Sequence, residues 1–270
     1  MYRILILIAL GYVCNMVIQG AVRKMLIDSK QVRRNYQGIS IPNSMGIALV
    51  LSTVLSMCIM ILFGYLTFQQ NASVAFAGIL MGFAGVIDDF AGNNQSKGFK
   101  GHIRNLIKGK LTTGGLKAVS GIVSSFIISL QISYTYYDLI INVLFISLLT
   151  NLMNLMDTRP GRAIKFFCFL SIIFLFAGAP QEVYYIVLGA VLSYLPSDLK
   201  AKGMLGDTGA NFIGMITGAA IIGHIESSFI RIFLLLLVFA LNLVSEKYSF
   251  SKIIEENYIL SYIDRLGRRH

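Results

Sequence analysis

Long, continuous apolar runs restrict the fold of this chain more than any other feature of its sequence. A helix needs about 20 mainly apolar residues to cross the hydrocarbon core of a bilayer. Only helices or closed barrels can cross at all, because every backbone polar group must be paired inside the membrane. The runs do not alternate between apolar and polar residues, which disfavours a barrel. Only 13% of the residues are charged, about half the share typical of soluble domains. The sequence therefore predicts an all-α, polytopic membrane bundle.

Nine runs are candidate transmembrane helices. They lie at about 3–22, 45–68, 72–88, 116–133, 137–156, 163–179, 181–196, 208–224 and 228–246. The first run lacks a small-residue cleavage site, and we interpret it as a retained helix. After the last run, apolar residues recur among charges in a way that predicts a short amphipathic helix on the membrane surface. We therefore expect a transmembrane bundle over residues 1–246 and a basic cytoplasmic tail over residues 247–270.

The basic residues fall almost entirely on one set of loops. Nine spans place the two termini on opposite sides of the membrane. Of the 23 Lys and Arg residues, all except Arg3 and Arg231 then lie on the side of the C-terminus. The positive-inside rule makes that side cytoplasmic. We expect the N-terminus outside and the C-terminus in the cytoplasm.

Five aspartates lie where a predicted span meets one of these basic loops. An ionisable group at this depth is costly and suggests a function, although an aspartate at a helix start is also a common cap. Adjacent carboxylates repel each other and are stabilised by a nearby cation. Mg²⁺ binds carboxylate oxygens together with water and substrate phosphate. The five are Asp88, Asp89, Asp157, Asp198 and Asp207. Their shared side of the membrane predicts a common divalent-cation site.

Two asparagines precede Asp157 at helical spacing. Asn151 and Asn154 lie six and three residues before Asp157, so all three side chains fall close to one face of a helix. A polar face on an otherwise apolar membrane helix is expected to point into the bundle rather than toward lipid. This face therefore joins the predicted cytoplasmic site.

Four short stretches resemble the polyprenyl-phosphate N-acetylhexosamine-1-phosphate transferase superfamily, glycosyl transferase family 4. The first resembles the loop before the family's second helix, with a basic pair and a Pro followed by Gly. The others match its paired aspartates, its Asn-x-x-Asn-x-x-Asp and its Gly-Asp-x-Gly. The stretches are RRNYQGISIPNSMG (33–46), GVIDDF (85–90), NLMNLMD (151–157) and MLGDTGA (204–210). They occur in the family's order and on its side of the membrane.

This resemblance implies an enzyme that transfers a sugar 1-phosphate from a UDP-sugar to polyprenyl (undecaprenyl) phosphate with Mg²⁺, Mn²⁺ being the alternative ion. The reaction would take place at the cytoplasmic face of a bacterial inner membrane and initiate a cell-envelope glycan. Carried over by position, Asp88, Asp89 and Lys117 would be catalytic. Asp157 and Asp207 would bind the metal ion.

The same resemblance assigns substrate-binding roles to Asn151, Asn154 and Asp157. The next residues depart from the family's Asp-Gly-x-Asp-Gly-like sequence and introduce Arg159 and Arg162. Arginine is a planar, bidentate phosphate donor, so both residues are candidates to bind a diphosphate. The departure predicts an altered donor or an altered geometry.

A second hypothesis is a non-catalytic relative that binds polyprenyl-phosphate lipids or acts as a partner in an envelope-assembly complex. The sequence lacks the family's His-rich loop and its tenth span, which favours this alternative. The retained carboxylates favour the enzyme, because a site without metal has little reason to keep interfacial aspartates. We expect no nucleic-acid partner, and the sequence leaves open whether the protein forms a homodimer.

Overall fold

The computed structural model describes residues 2–92, 112–177 and 181–268, and within them the chain is mainly helical. Nine helices of 16 residues or more lie in these ranges: α1 (Tyr2–Asp28), α2 (Gly46–Leu62), α3 (Phe68–Ala91), α4 (Thr113–Ile132), α5 (Tyr136–Met156), α6 (Arg162–Ala177), α7 (Val183–Leu199), α8 (Gly206–His224) and α9 (Ser228–Lys247). The predicted all-α class is confirmed. The basic loop after α3, residues 93–111, lies outside the described residues.

Each of these helices coincides with one of the predicted apolar runs, with its ends shifted by a few residues. In the described ranges, five helices are long and apolar enough to cross a membrane: α1, the Asn71–Ala91 part of α3, α4, α5 and α9. The other four have 16 to 19 residues. The protein is therefore a multi-pass membrane protein by helix length and composition. The number of nine spans and the orientation of the termini stay predictions.

Helix α8 is the centre of the bundle and is buried along almost its whole length. It packs against α2, α3 and α5, and two glycines allow α5 to approach closely. A methyl group added at Gly214 would lie 2.8 Å from the Cα atom of Thr150, and one at Gly218 would lie 3.1 Å from the Cα atom of Ile146. Membrane helices associate through such close packing, because lipid provides no hydrophobic driving force between them.

Helices α1 and α7 pack against each other through a reciprocal pair of glycines. A methyl group added at Gly11 would lie 2.0 Å from the carbonyl oxygen of Ile186, and one at Gly189 would lie 1.9 Å from the carbonyl oxygen of Ile8. Neither position has room for a side chain while the two backbones keep this separation. The contact fixes α1 against α7, a helix that is itself mostly buried.

A short β-hairpin connects α1 to α2. Its strands, β1 (Val32–Arg34) and β2 (Ser40–Pro42), pair antiparallel. The segment after β2 binds the segment before α8: Met204 N–H donates to the Pro42 carbonyl at 2.8 Å, and Met45 N–H donates to the Met204 carbonyl at 2.9 Å. These bonds fix the start of α8 against the hairpin and the start of α2.

The tail forms two short helices, α10 (Phe250–Glu256) and α11 (Tyr258–Arg265), where the sequence predicted a single amphipathic one. Asn257 separates them, and its side chain accepts a hydrogen bond from Leu260 N–H at 3.0 Å, which caps α11. Tyr258 and Ile259 on α11 are largely exposed, whereas Asp264 is buried. One side of α11 therefore packs on the protein, and its large apolar side chains remain available to a membrane surface.

The glycine contact between α1 and α7 leads to a stability prediction. Gly11→Ala places a methyl group against backbone atoms of α7 and is expected to lower the free energy of unfolding by about 1–3 kcal/mol, as overpacking does. Thermal unfolding of the purified protein in detergent measures the loss. Gly20→Ala is the matched control, because a methyl group there meets nothing within 4 Å. Equal stabilities of the two variants would contradict the close packing.

Candidate active site

The predicted catalytic and metal-binding residues converge at one end of the bundle. Asp88 and Asp89 lie in the last turn of α3, and Lys117 lies near the start of α4. Asp157 directly follows α5, and Asp207 is the second residue of α8. Hydrogen bonds link all five of these residues to this end of α8 or to each other. The helix ends therefore form one site.

Lys117 lies between two of the aspartates. Its ammonium group donates to Asp88 Oδ2 at 3.1 Å and also to Asp207 Oδ2. The side chains of Lys117, Asp88 and Asp207 are 20%, 20% and 26% exposed, respectively. Two carboxylates thus hold a cation in a partly exposed position.

Asp89 has a different environment from its neighbour. It is only 5% exposed. Its Oδ1 accepts hydrogen bonds from Asp207 N–H at 3.0 Å and Asn43 Nδ2 at 3.3 Å. Its Oδ2 accepts from Thr208 N–H at 3.1 Å, Thr208 Oγ1 at 2.7 Å and Ser44 Oγ at 2.6 Å. Both oxygens are therefore engaged within the protein, and the carboxylate caps the N-terminus of α8, where negative charge is stabilising.

Asp157 provides a second cap for the same helix. Its Oδ2 accepts a hydrogen bond from Gly206 N–H at 3.1 Å. Gly206 has a φ of +74°, and a methyl group there would lie 2.6 Å from Asp89 Oδ2, so this position requires glycine. Burial raises the pKa of Asp157 well above its ordinary value, and the nearby carboxylates of Asp198, Asp207 and Asp89 raise it further. Asp157 therefore lies among other carboxylates.

The two predicted asparagines are divided between packing and the site. Asn151 Nδ2 donates to Asn242 Oδ1 on α9 at 2.7 Å, so Asn151 holds α5 to α9. Asn154 is half-buried one turn before Asp157, and its carbonyl accepts a hydrogen bond from Asp157 N–H at 3.1 Å. Of the pair, Asn154 lies nearer to the carboxylates.

The two predicted phosphate-binding arginines contact the tail. Arg162 is buried and forms an ion pair with Asp264 at 2.9 Å. Arg159 pairs with Glu255 at 3.2 Å, and its guanidinium lies 5.0 Å from the centre of the Tyr36 ring. The structure thus balances both arginine charges with tail carboxylates rather than bringing them to Lys117.

The side chains of the site have the oxygen donors that a hard divalent ion prefers. Asp88, Asp157 and Asp207 supply carboxylate oxygens only, the ligands that Mg²⁺ and Mn²⁺ prefer. Asp88 and Asp207 already share one cation, the ammonium of Lys117. Within the ranges that the structure describes, however, no group of three or more His, Cys, Asp or Glu side chains has a spacing that would hold a metal. A metal centre therefore stays a prediction.

Sequence reasoning missed the residues that hold Asp89. Asn43, Ser44 and Thr208 contribute three of its five hydrogen bonds through their side chains. Thr208 follows Asp207 at a helix start, where small hydroxyl residues are common, so the sequence contained a weak signal for it. The sequence grouped Asp198 with the predicted cation site, and in the structure Oδ2 of Asp198 accepts a hydrogen bond from Gly161 N–H at 2.7 Å. This bond fixes the loop that follows α5.

Residues 71–225 match the family model described as glycosyl transferase family 4. The chain belongs to this family. No curated protein matches the chain. The matched region contains the Asp88–Lys117–Asp207 cluster, Asp157 and three of the four motifs, and the resemblance to the family is confirmed. By family, the chain is a glycosyl or phosphosugar transferase. The hairpin and the tail, α10 and α11, lie outside the matched region.

The cap of α8 can be tested by neutralising Asp89. Asp89→Asn turns one acceptor oxygen into a donor that faces N–H and hydroxyl groups. Because buried donors are then left unpaired, the free energy of unfolding is expected to fall by about 1–3 kcal/mol. Thermal unfolding in detergent measures it. Asp28→Asn, at an exposed position at the end of α1, is the control, and a loss as large as that of Asp89→Asn would argue against a specific cap.

Proposed function

We propose that this protein transfers a sugar 1-phosphate from a UDP-sugar to polyprenyl phosphate, with Mg²⁺ or Mn²⁺, at the cytoplasmic face of a bacterial inner membrane. An oxygen of the lipid phosphate attacks the sugar-bearing phosphorus of the UDP-sugar. The bond from that phosphorus to the bridging oxygen breaks, and UMP leaves. The products are a lipid diphosphate sugar and UMP. The observation that carries the proposal is the accessible Asp88–Lys117–Asp207 cluster inside the family-matched region.

The electrostatics of the cluster suit two anionic substrates. Phosphoryl transfer depends on positioning the phosphates and stabilising charge on the transferred group. Asp88 and Asp207 lie beside Lys117 and stabilise its positive charge. Lys117 can therefore contact a phosphate oxygen as a cation. In this proposal Asp88 positions the lipid phosphate, because Asp88 is more exposed than Asp89. Asp89 positions Asp207 through the backbone of α8.

A divalent ion, when bound, would neutralise phosphate charge and orient the diphosphate. Asp157 and Asp207 are the residues that we propose to hold it, and their shared position at the start of α8 supports this assignment. Asn154, one turn before Asp157, is proposed to contact the donor. The proposed site lies at the ends of apolar helices, so a lipid head group can enter from the membrane and a nucleotide sugar from water. Initiation of a cell-envelope glycan is the role that we propose for the product.

The reaction can be tested with purified protein, undecaprenyl phosphate, Mg²⁺ and a panel of UDP-sugars, with UMP as the measured product. Lys117→Met is expected to lower kcat at least about 100-fold, because preorganised charge stabilisation at a reacting group commonly contributes that much. Lys24→Met, which removes an exposed lysine from α1, is the matched control and should keep wild-type activity. If no donor yields UMP but the protein still binds undecaprenyl phosphate, the non-catalytic alternative replaces this proposal.

Removal of the metal is a second test of the same site. EDTA is expected to stop UMP release, and added Mg²⁺ is expected to restore it. Asp207→Asn should raise the Mg²⁺ concentration that gives half-maximal rate, since it removes one charged ligand. Asp28→Asn provides the control for loss of an acidic residue. Full activity in EDTA would refute the metal requirement. The transfer reaction itself would still be tested by the UMP assay.

A further inference from the structure

The tail is bound to the loop after α5 by a buried ion cluster centred on Asp264. Arg162 donates to Asp264 through Nε at 2.9 Å and through Nη2 at 3.0 Å, a bidentate pair. Arg268 donates to the same carboxylate at 2.6 Å. All three side chains are at most 10% exposed. We propose that Asp264 is a positioning residue, which fixes the loop of residues 157–162 and, through it, the start of α8 that carries Asp207.

Further bonds attach the tail to the loop and to α6. Arg268 Nε donates to the Pro160 carbonyl at 2.6 Å. Lys165 donates to the carbonyls of Ile263 and Asp264 at 2.9 and 2.7 Å, at the end of α11, where helix carbonyls lack partners and a cation is favourable. The tail thus contacts the loop through the Arg268 side chain and contacts α6 through its backbone carbonyls.

The loop in turn contacts the site at one end and the end of α7 at the other. At one end, Asp157 accepts Gly206 N–H and so meets the first residue of α8. At the other, Gly161 N–H donates to Asp198. Between them, Arg162 Nη1 donates to Thr158 Oγ1 at 2.7 Å. A shift of the loop would therefore move Asp157 and loosen the start of α8.

The contacts of Arg162 argue for positioning rather than substrate binding. Each of its three guanidinium nitrogens donates to Asp264, Thr158 or Ser251. A buried ion pair gains little net stability, because both charges lose water, but it fixes a specific geometry when its partners are satisfied. The tail lies outside the family-matched residues 71–225. Through Arg162 and Pro160, the tail contacts the loop next to the site.

The test compares full-length Asp264→Asn with Glu256→Gln. Both remove one carboxylate from the tail, but Glu256 belongs to an exposed pair with Lys252 at 3.8 Å. The first readout is backbone hydrogen exchange of peptides that cover residues 157–162 and 204–208. Asp264→Asn is expected to speed exchange in both peptides at least about tenfold, because local opening is governed by these contacts, and Glu256→Gln is expected to leave both unchanged. Unchanged exchange at 204–208 in folded Asp264→Asn would overturn the proposal.

The second readout is turnover per folded molecule, and this arm alone rests on the proposed transferase function. A displacement of about 1 Å can cost about 100-fold in rate. We therefore expect kcat to fall at least about tenfold while both KM values stay within about threefold of wild type. A role limited to stability would lower the folded fraction and leave kcat unchanged. Faster exchange with unchanged kcat would therefore overturn the catalytic part of the proposal.

Two outcomes separate this inference from the proposed function. If the wild-type protein releases no UMP, the transferase proposal fails, and exchange at 204–208 still decides whether Asp264 positions α8. If Asp264→Asn does not fold, Arg268→Gln replaces it, since that variant removes the Pro160 contact but keeps the Arg162–Asp264 pair. Arg268→Gln is expected to speed exchange about threefold at 157–162 and 204–208. No change in either peptide would overturn the inference.

Discussion

The site depends on the bond between the Asp89 carboxylate and the first backbone N–H groups of α8. A helix start has four N–H groups without partners inside the helix, and α8 begins among buried groups where water is scarce. Asp89 binds the N–H groups of Asp207 and Thr208, and Asp157 binds that of Gly206. Because Asp207 is held by its own backbone, its side chain keeps a fixed direction toward Lys117. The same carboxylates that satisfy the helix therefore set the geometry of the charged cluster.

The adjacent aspartates divide two tasks that a single residue could not perform. Neighbouring residues on a helix point about 100° apart, so Asp88 faces α4 while Asp89 faces the starts of α2 and α8. Asp88 is accessible and is bound to Lys117. Asp89 is enclosed by Asn43 and Ser44. The pair is therefore one structural carboxylate and one carboxylate that can meet a ligand.

The helices and the grouping of the aspartates could be predicted from the sequence, because both follow from local patterns. Apolar length predicted the positions of the nine long helices in the described ranges, and the position of Asp88, Asp157 and Asp207 at helix ends predicted a shared site. The separate role of Asp89 was not readable, since it depends on three side chains from distant segments. The partner of Arg162 was equally hidden, because Asp264 lies 102 residues further along the chain. Such contacts depend on tertiary packing, which no local pattern encodes.

The capping of α8 has a consequence for the order in which the protein matures. The carboxylates that cap this helix start come from residues 89 and 157, and the hydrogen bond from Thr208 N–H to Asp89 spans 119 residues. During synthesis, the segments that carry Asp89 and Asp157 leave the ribosome before α8, so these carboxylates at first lack the N–H partners that α8 provides. Non-local contacts of this kind form late, after the closure of long loops. The Asp88–Lys117–Asp207 cluster therefore forms only when α8 docks, because Asp207 lies on α8. A nascent chain that ends before α8 has the other carboxylates but no assembled site.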